Sequence, residues 1–155
     1  MDEIIAQLVA GGVVDRSRLQ GGSEAEIAAI EHERGVALPG AYRTFLAAMG
    51  KSPGGFLRGS DLEYSALRSL RAWAEELLVE CDAALELDLA DFVFVMHQGY
   101  QFLFFRCGVS DDPPVYLFLE HEPRVQRVAE SFSSWLASAA QDEIEAVAAL
   151  QKYRT

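Results

Sequence analysis

Cysteine is scarce in this chain, and cationic charge is scarcer than anionic. The two thiols, Cys81 and Cys107, fall on different expected elements with no C-x-x-C spacing. Apolar-flanked cysteines of this kind read as buried thiols, ahead of a disulfide or a redox role. No apolar run approaches the ~20 residues of a membrane span. The start Met1-Asp2-Glu3 is acidic where a signal peptide is basic, so a cytoplasmic protein is expected. Against 24 Asp and Glu stand only 13 Lys and Arg, a formal net charge of -11. Nucleic acid and anionic membrane are poor partners for such a chain, because phosphate contacts need clustered bases. Two explanations of the acidity remain open, solubility and attraction to a basic protein partner.

Catalytic signatures are missing as well. His32, His97 and His121 are scattered and form no H-x-x-x-H or similar metal-ligand pattern. There is no G-x-S-x-G elbow. Gly50-Lys51-Ser52 imitates the end of a phosphate-binding loop, but the position that needs the first glycine holds Phe45, on an expected helix. Asp111-Asp112 beside two prolines reads as loop surface rather than an acid–base pair. No cofactor and no metal site is expected, and a small hydrolase has no visible nucleophile and base.

What the chain has in abundance is apolar character, at 50%, enough over 155 residues for one globular domain. Phe92-Val93-Phe94-Val95-Met96 is apolar at every position, as an inner strand covered on both faces would be. Gln98-Gly99 supplies a turn, and Tyr100 to Phe105 returns as its hairpin partner. Alternation puts Tyr100, Phe102 and Phe104 on one face, with Leu103 and Phe105 on the other. The loop Ser110 to Pro114 precedes a third strand, Val115 to Leu119. Phe56-Leu57 is a candidate edge strand, and Arg124 to Val128 a short final one. Glu120 to Pro123 reads as a turn.

Helices are expected around this antiparallel sheet. Asp2 to Ala10 is amphipathic and ends at Gly11-Gly12. Ser23 and Glu26 form a capping box for a helix from Glu24 to Arg34, closed by Gly35. Pro39 fits a first helical turn, and Tyr42, Phe45, Leu46 and Met49 make one apolar face. A helix over Ser65 to Cys81 packs Trp73 and a leucine stripe. The stretch from Gly59 to Asp91 reads as rich in helix. Ser131 caps a long C-terminal helix whose stripe includes Phe132, Trp135 and Leu136 and extends through Ile144, Val147 and Leu150. The fold class is therefore α+β.

Between Arg71 and Arg106 there is no lysine or arginine, while Glu75, Glu76, Glu80, Asp82, Glu86, Asp88 and Asp91 accumulate. A one-sign block repels itself. It is either a solvated face or a docking surface.

The order Ile30-Glu31-x-Glu33-x-Gly35-Val36-x-Leu38-Pro39-x-x-Tyr42-Arg43-x-Phe45-Leu46, then Gly99-Tyr100, Pro114-Val115-Tyr116 and Ser131-Phe132-x-x-Trp135-Leu136, resembles the SUKH superfamily over about residues 24–140. That superfamily includes bacterial immunity proteins of polymorphic toxin systems and fungal cell-wall regulators. The resemblance implies a non-catalytic protein, with residues 1–155 forming one SUKH-like domain. Its implied role is to bind a cognate toxin domain, such as a nuclease with a basic surface, in one-to-one proportion. A regulatory scaffold is the alternative. Expected partner-binding residues are Glu80, Asp82, Glu86, Asp88, Asp91, Asp111 and Asp112, with Tyr100 and Tyr116 as aromatic anchors. Sequence leaves the oligomeric state open.

Overall fold

The computed structural model describes residues 1–122 and 124–153, so Pro123 of the expected turn lies outside the described residues. Among the described residues five α-helices and two antiparallel sheets share one hydrophobic core. Helices α1 (Asp2–Ala10), α2 (Glu24–Arg34) and α3 (Gly40–Met49) come first. A two-residue ladder joins β1 (Leu19–Gln20) to β2 (Ser52–Pro53). Then follow β3 (Ser60–Asp61), α4 (Leu67–Glu80), β4 (Asp91–His97), β5 (Gln101–Arg106), β6 (Val115–Leu119), β7 (Gln126–Ala129) and α5 (Phe132–Lys152). The main sheet runs β3-β4-β5-β6-β7, every neighbour antiparallel.

Local chemistry fixes the helix ends. Ser23 Oγ accepts from Glu26 N–H at 3.2 Å while Glu26 Oε2 accepts from Ser23 N–H at 2.8 Å, the reciprocal capping box the sequence predicts. Gly35 follows α2 at φ 65°, letting Val36 N–H reach back to Glu31 C=O. Pro39 stands one position earlier than expected, as the N-cap of α3; its carbonyl still accepts from Arg43 N–H. Gly21 is required by proximity, since a Cβ there would lie 1.7 Å from the Ala47 carbonyl oxygen of α3.

The sheet is the middle layer. Strand β4 is central, and Phe92 to Met96 are all buried. A bulge between Val93 and Val95 turns Phe94 and Val95 toward the same side as Leu103. On that face Tyr42, Phe92, Phe94, Phe105 and Phe132 form a continuous ring cluster with centroid separations of 5.1–6.1 Å. Helices α3 and α5 supply its outer half. On the opposite face lie Met96, Phe102, Phe104 and Phe118, with Phe102 stacked on Phe118 at 5.2 Å. The expected alternation of Phe102 and Phe104 against Leu103 and Phe105 is what the ladder shows. Tyr100 precedes β5 in the hairpin turn, where Gln98 and Gly99 take φ of 48° and 76° and Tyr100 N–H bonds His97 C=O.

Three expectations need correction. Phe56-Leu57 is a turn, with Leu57 at φ 52°, and Ser60–Asp61 is the edge strand. Trp73 is 40% exposed: Leu70, Ala74 and Leu77 meet the sheet, and the indole projects beside them. Beyond Cys81 the chain is extended, not helical, because Ala83, Leu85 and Leu87 point inward alternately with outward Asp82, Ala84, Glu86 and Asp88. The C-terminal helix is unbroken as expected, but its stripe ends at Val147 and leaves Leu150 exposed.

Candidate functional site

Helix α4 covers only the β3–β4 half of its face of the sheet. The other half is crossed by the extended segment 83–87, hereafter the strap, whose two ends are fixed by different devices. At the first, Asp82 adopts φ 49°, so that its N–H reaches Val79 C=O and Ala83 N–H reaches Leu78 C=O at 2.9 Å. At the second, Arg71 Nη2 donates to Leu87 C=O at 2.9 Å and Nη1 to Asp88 C=O at 2.8 Å, while Nε holds Glu75 at 2.7 Å. Inward Leu85 separates two open clefts that meet at Leu85 and Val125. One, about 690 Å³, has Phe118 at its base and Glu80, Asp82, Glu120, His121, Glu122 and Arg124 at its border. The other, about 580 Å³, has Phe104 and Tyr116 at its base and Glu86 and Arg106 at its border. Tyr116 stacks on Phe104 at 5.5 Å. The result is a groove with an aromatic floor and a mostly carboxylate rim.

Of the sequence-selected residues, the groove gathers Glu80, Asp82, Glu86, Asp91 and Tyr116. Asp91 and the remaining ones are engaged in holding the fold. Asp91 was expected at a docking surface, yet it is 3% exposed and directly opposite Arg106 in the β4–β5 ladder. Both of its oxygens accept from that guanidinium, at 2.9 and 3.1 Å, and Oδ2 also accepts from Asp88 N–H. The pairing raises the Arg106 pKa above its ordinary value. Asp88 is exposed but caps its own turn through Ala90 N–H. Asp111 accepts from Gly40 N–H at 2.8 Å and Asp112 from Ser133 N–H at 2.9 Å, so each ties the β5–β6 loop to a helix start. Tyr100 packs on the His97 ring at the hairpin tip, away from the groove-lining residues.

The sequence reading missed Leu85, Phe118, Glu120, Glu122 and Val125 as groove residues. The signal for the strap was present, in the period-two spacing of Ala83, Leu85 and Leu87 against Asp82, Glu86 and Asp88. The rim from Glu120 and Glu122 depends on where the β6–β7 turn folds, which spacing does not reveal.

Reactive groups do not converge. Burial pushes the Cys107 thiol up to about 11, which keeps it protonated at neutral pH. Ser60 Oγ lies 2.8 Å from His97 Nδ1, but the two are directly paired across β3 and β4, and among the described residues no carboxylate hydrogen-bonds the ring. That contact is a cross-strand bond. Among the described residues no group of three or more His, Cys, Asp and Glu is placed to hold a metal, and no helix is long and apolar enough to cross a membrane.

A family model described as SMI1 / KNR4 family (SUKH-1) matches residues 21–138. A search of curated proteins returned no match.

Proposed function

Because the chain belongs to the SMI1 / KNR4 family (SUKH-1), we propose that it is an immunity protein, which neutralises a cognate toxin domain by covering it in a one-to-one complex in the cytoplasm of the producing cell. The family includes toxin immunity proteins and fungal regulators and is generally non-catalytic. The observation that carries the reading is the groove: an open aromatic floor bordered by Glu80, Asp82, Glu86, Glu120 and Glu122 on a chain of net charge -11. A carboxylate rim speeds encounter with a basic surface and repels nucleic acid, and the apolar floor supplies the desolvated contact area that holds a complex once formed. A nuclease toxin presents such a basic surface where its substrate binds. Within this reading residues 1–155 act as one domain, and Glu80, Asp82, Glu86 and Tyr116 face the toxin directly. Asp88 and Tyr100 lie at the margin, while Asp91, Asp111 and Asp112 support the scaffold.

The test is co-expression with the C-terminal domain of any large toxin encoded beside this gene. Growth protection, together with a one-to-one complex on size exclusion, is the expected result. No protection and no complex would remove the immunity reading. Low-salt capture of several housekeeping proteins would favour a regulatory scaffold of the same fold.

A further inference from the structure

We propose that the groove receives an extended, basic segment of the partner protein, which pairs with the strap as an added β-strand and alternates apolar side chains inward with lysine or arginine outward. The inference rests on the binding role proposed above and specifies what enters the site.

Three observations converge on this occupant. First, the strap already has the geometry of a strand without a neighbour. Ala83, Leu85 and Leu87 alternate with Asp82, Ala84, Glu86 and Asp88. Among the described residues the N–H groups of Ala84, Leu85 and Glu86 have no hydrogen-bond partner, and no carbonyl from Cys81 to Glu86 accepts one. Its ends are pinned at Asp82–Ala83 and by Arg71 at Leu87–Asp88, so the middle is held extended before anything binds. An edge of this kind is completed by strand addition, in which backbone bonds give affinity and alternate side chains give specificity.

Second, the clefts lie where inward side chains of an added strand would go. They meet at Leu85 and Val125, over Phe118 on one side and over Phe104 and Tyr116 on the other. The four steps from Asp82 to Glu86 span roughly 13 Å of extended chain, enough for two inward residues about 7 Å apart.

Third, charge selects among occupants. Of the outward positions of the strap, Asp82 shares one cleft with Glu80, Glu120 and Glu122 against Arg124, and Glu86 shares the other with Asp91 against Arg106, so carboxylates outnumber cations in both. A second copy of this chain would bring a net charge of -11 against that rim. A helix satisfies its own backbone and would leave the strap groups unpaired. A cationic extended segment meets both demands.

The probe is an acetylated, amidated hexapeptide alternating lysine and valine, titrated into the full-length protein at low salt and followed by amide NMR and hydrogen exchange. Two controls separate strand pairing from charge: the block isomer with three lysines followed by three valines, and the alternating peptide N-methylated at every second residue. The expected result is at least tenfold slower exchange at Ala84 and Glu86, whose N–H groups share the free edge of the strap, with Leu85 on the opposite edge unchanged, and at least tenfold weaker binding of both controls. The variant Ala84→Pro, which removes one strap N–H without altering charge, should weaken the alternating peptide alone. Equal binding of all three peptides, shifts centred away from residues 82–87, or dimerisation through the groove would each overturn the proposal. Growth protection distinguishes the two levels of argument. Protection without strap pairing overturns the strand-addition proposal and leaves the immunity reading; strap pairing without protection removes the toxin and keeps the peptide site.

Discussion

Tyr42 and Asp91 are both buried polar side chains, with opposite accounting. The Tyr42 hydroxyl lies inside the ring cluster, and among the described residues it has no hydrogen-bond partner; burial raises its pKa above the ordinary tyrosine value. Tyr42→Phe removes an unsatisfied group and keeps the ring contacts. Stability to urea should therefore stay level or rise by up to about 1 kcal/mol, and a loss of that size would point to a partner for the hydroxyl. Asp91 is fully paired, so Asp91→Asn leaves Arg106 half-compensated and should lower stability by about 1–3 kcal/mol in the same measurement. Glu80→Gln on the exposed end of α4 should stay within ~0.5 kcal/mol. Tyr42 was legible as a core position because it falls on the apolar stripe of α3. The role of Asp91 was not, since the acidic neighbours Glu86 and Asp88 obscure it. Counted outward from the three-residue turn Gln98 to Tyr100, Asp91 would fall opposite Cys107, and only the bulge at Phe94 brings it to Arg106.

At the level of elements, the junctions carry the information. Asp82 ends α4 in a left-handed conformation that glycine adopts without a Cβ clash. Asp82→Gly should stabilise the fold by up to about 1 kcal/mol in thermal melts while removing one rim charge, so stability and partner affinity should move in opposite directions. Glu31 joins α2 to α3: its carboxylate accepts from Leu38 N–H at 2.9 Å and pairs with Arg43 at 2.6 Å. Burial favours the protonated form of Glu31, but Arg43 and the Leu38 N–H outweigh it and hold the carboxyl below the ordinary glutamate value. A depressed folded-state pKa contributes stability that is present above the unfolded value and lost as pH falls through the folded one. The stability gap between wild type and Glu31→Gln should therefore be full at neutral pH and close below roughly pH 4 in denaturation series. Helices and caps were readable here because capping boxes and glycine stops act within a few residues. The strap was legible only as a period-two alternation, since an extended segment unpaired along its middle has no terminating signal to fix its ends. A one-residue bulge at Phe94 is likewise silent in an all-apolar run.

For the whole molecule, charge is the property that reaches farthest. Replacing Glu80, Asp82 and Glu86 by their amides should slow association with a basic partner at low salt, with the difference shrinking as ionic strength rises past ~0.15 M and the dissociation rate little changed. Stopped-flow rates over a salt series read this directly; a salt-independent deficit, or an unchanged on-rate, would sink electrostatic steering. The α+β class, the sheet's central strands and the acidic character were all legible, because composition and periodicity average over many residues. The groove was not, because it is an absence: α4 stops at Glu80, before it covers the second half of the sheet.

The sheet's spatial order is also its chain order, from β3 to β7, and the helix that seals its aromatic face comes last. During synthesis the strands can therefore pair one after another as they leave the ribosome, without waiting for distant sequence. Their Phe94 and Phe105 side chains nevertheless lack the cover of α5 until Phe132 and Trp135 have emerged. A chain that pairs its strands in this order exposes that aromatic face before α5 arrives, which is when a chaperone at the ribosome has most to hold.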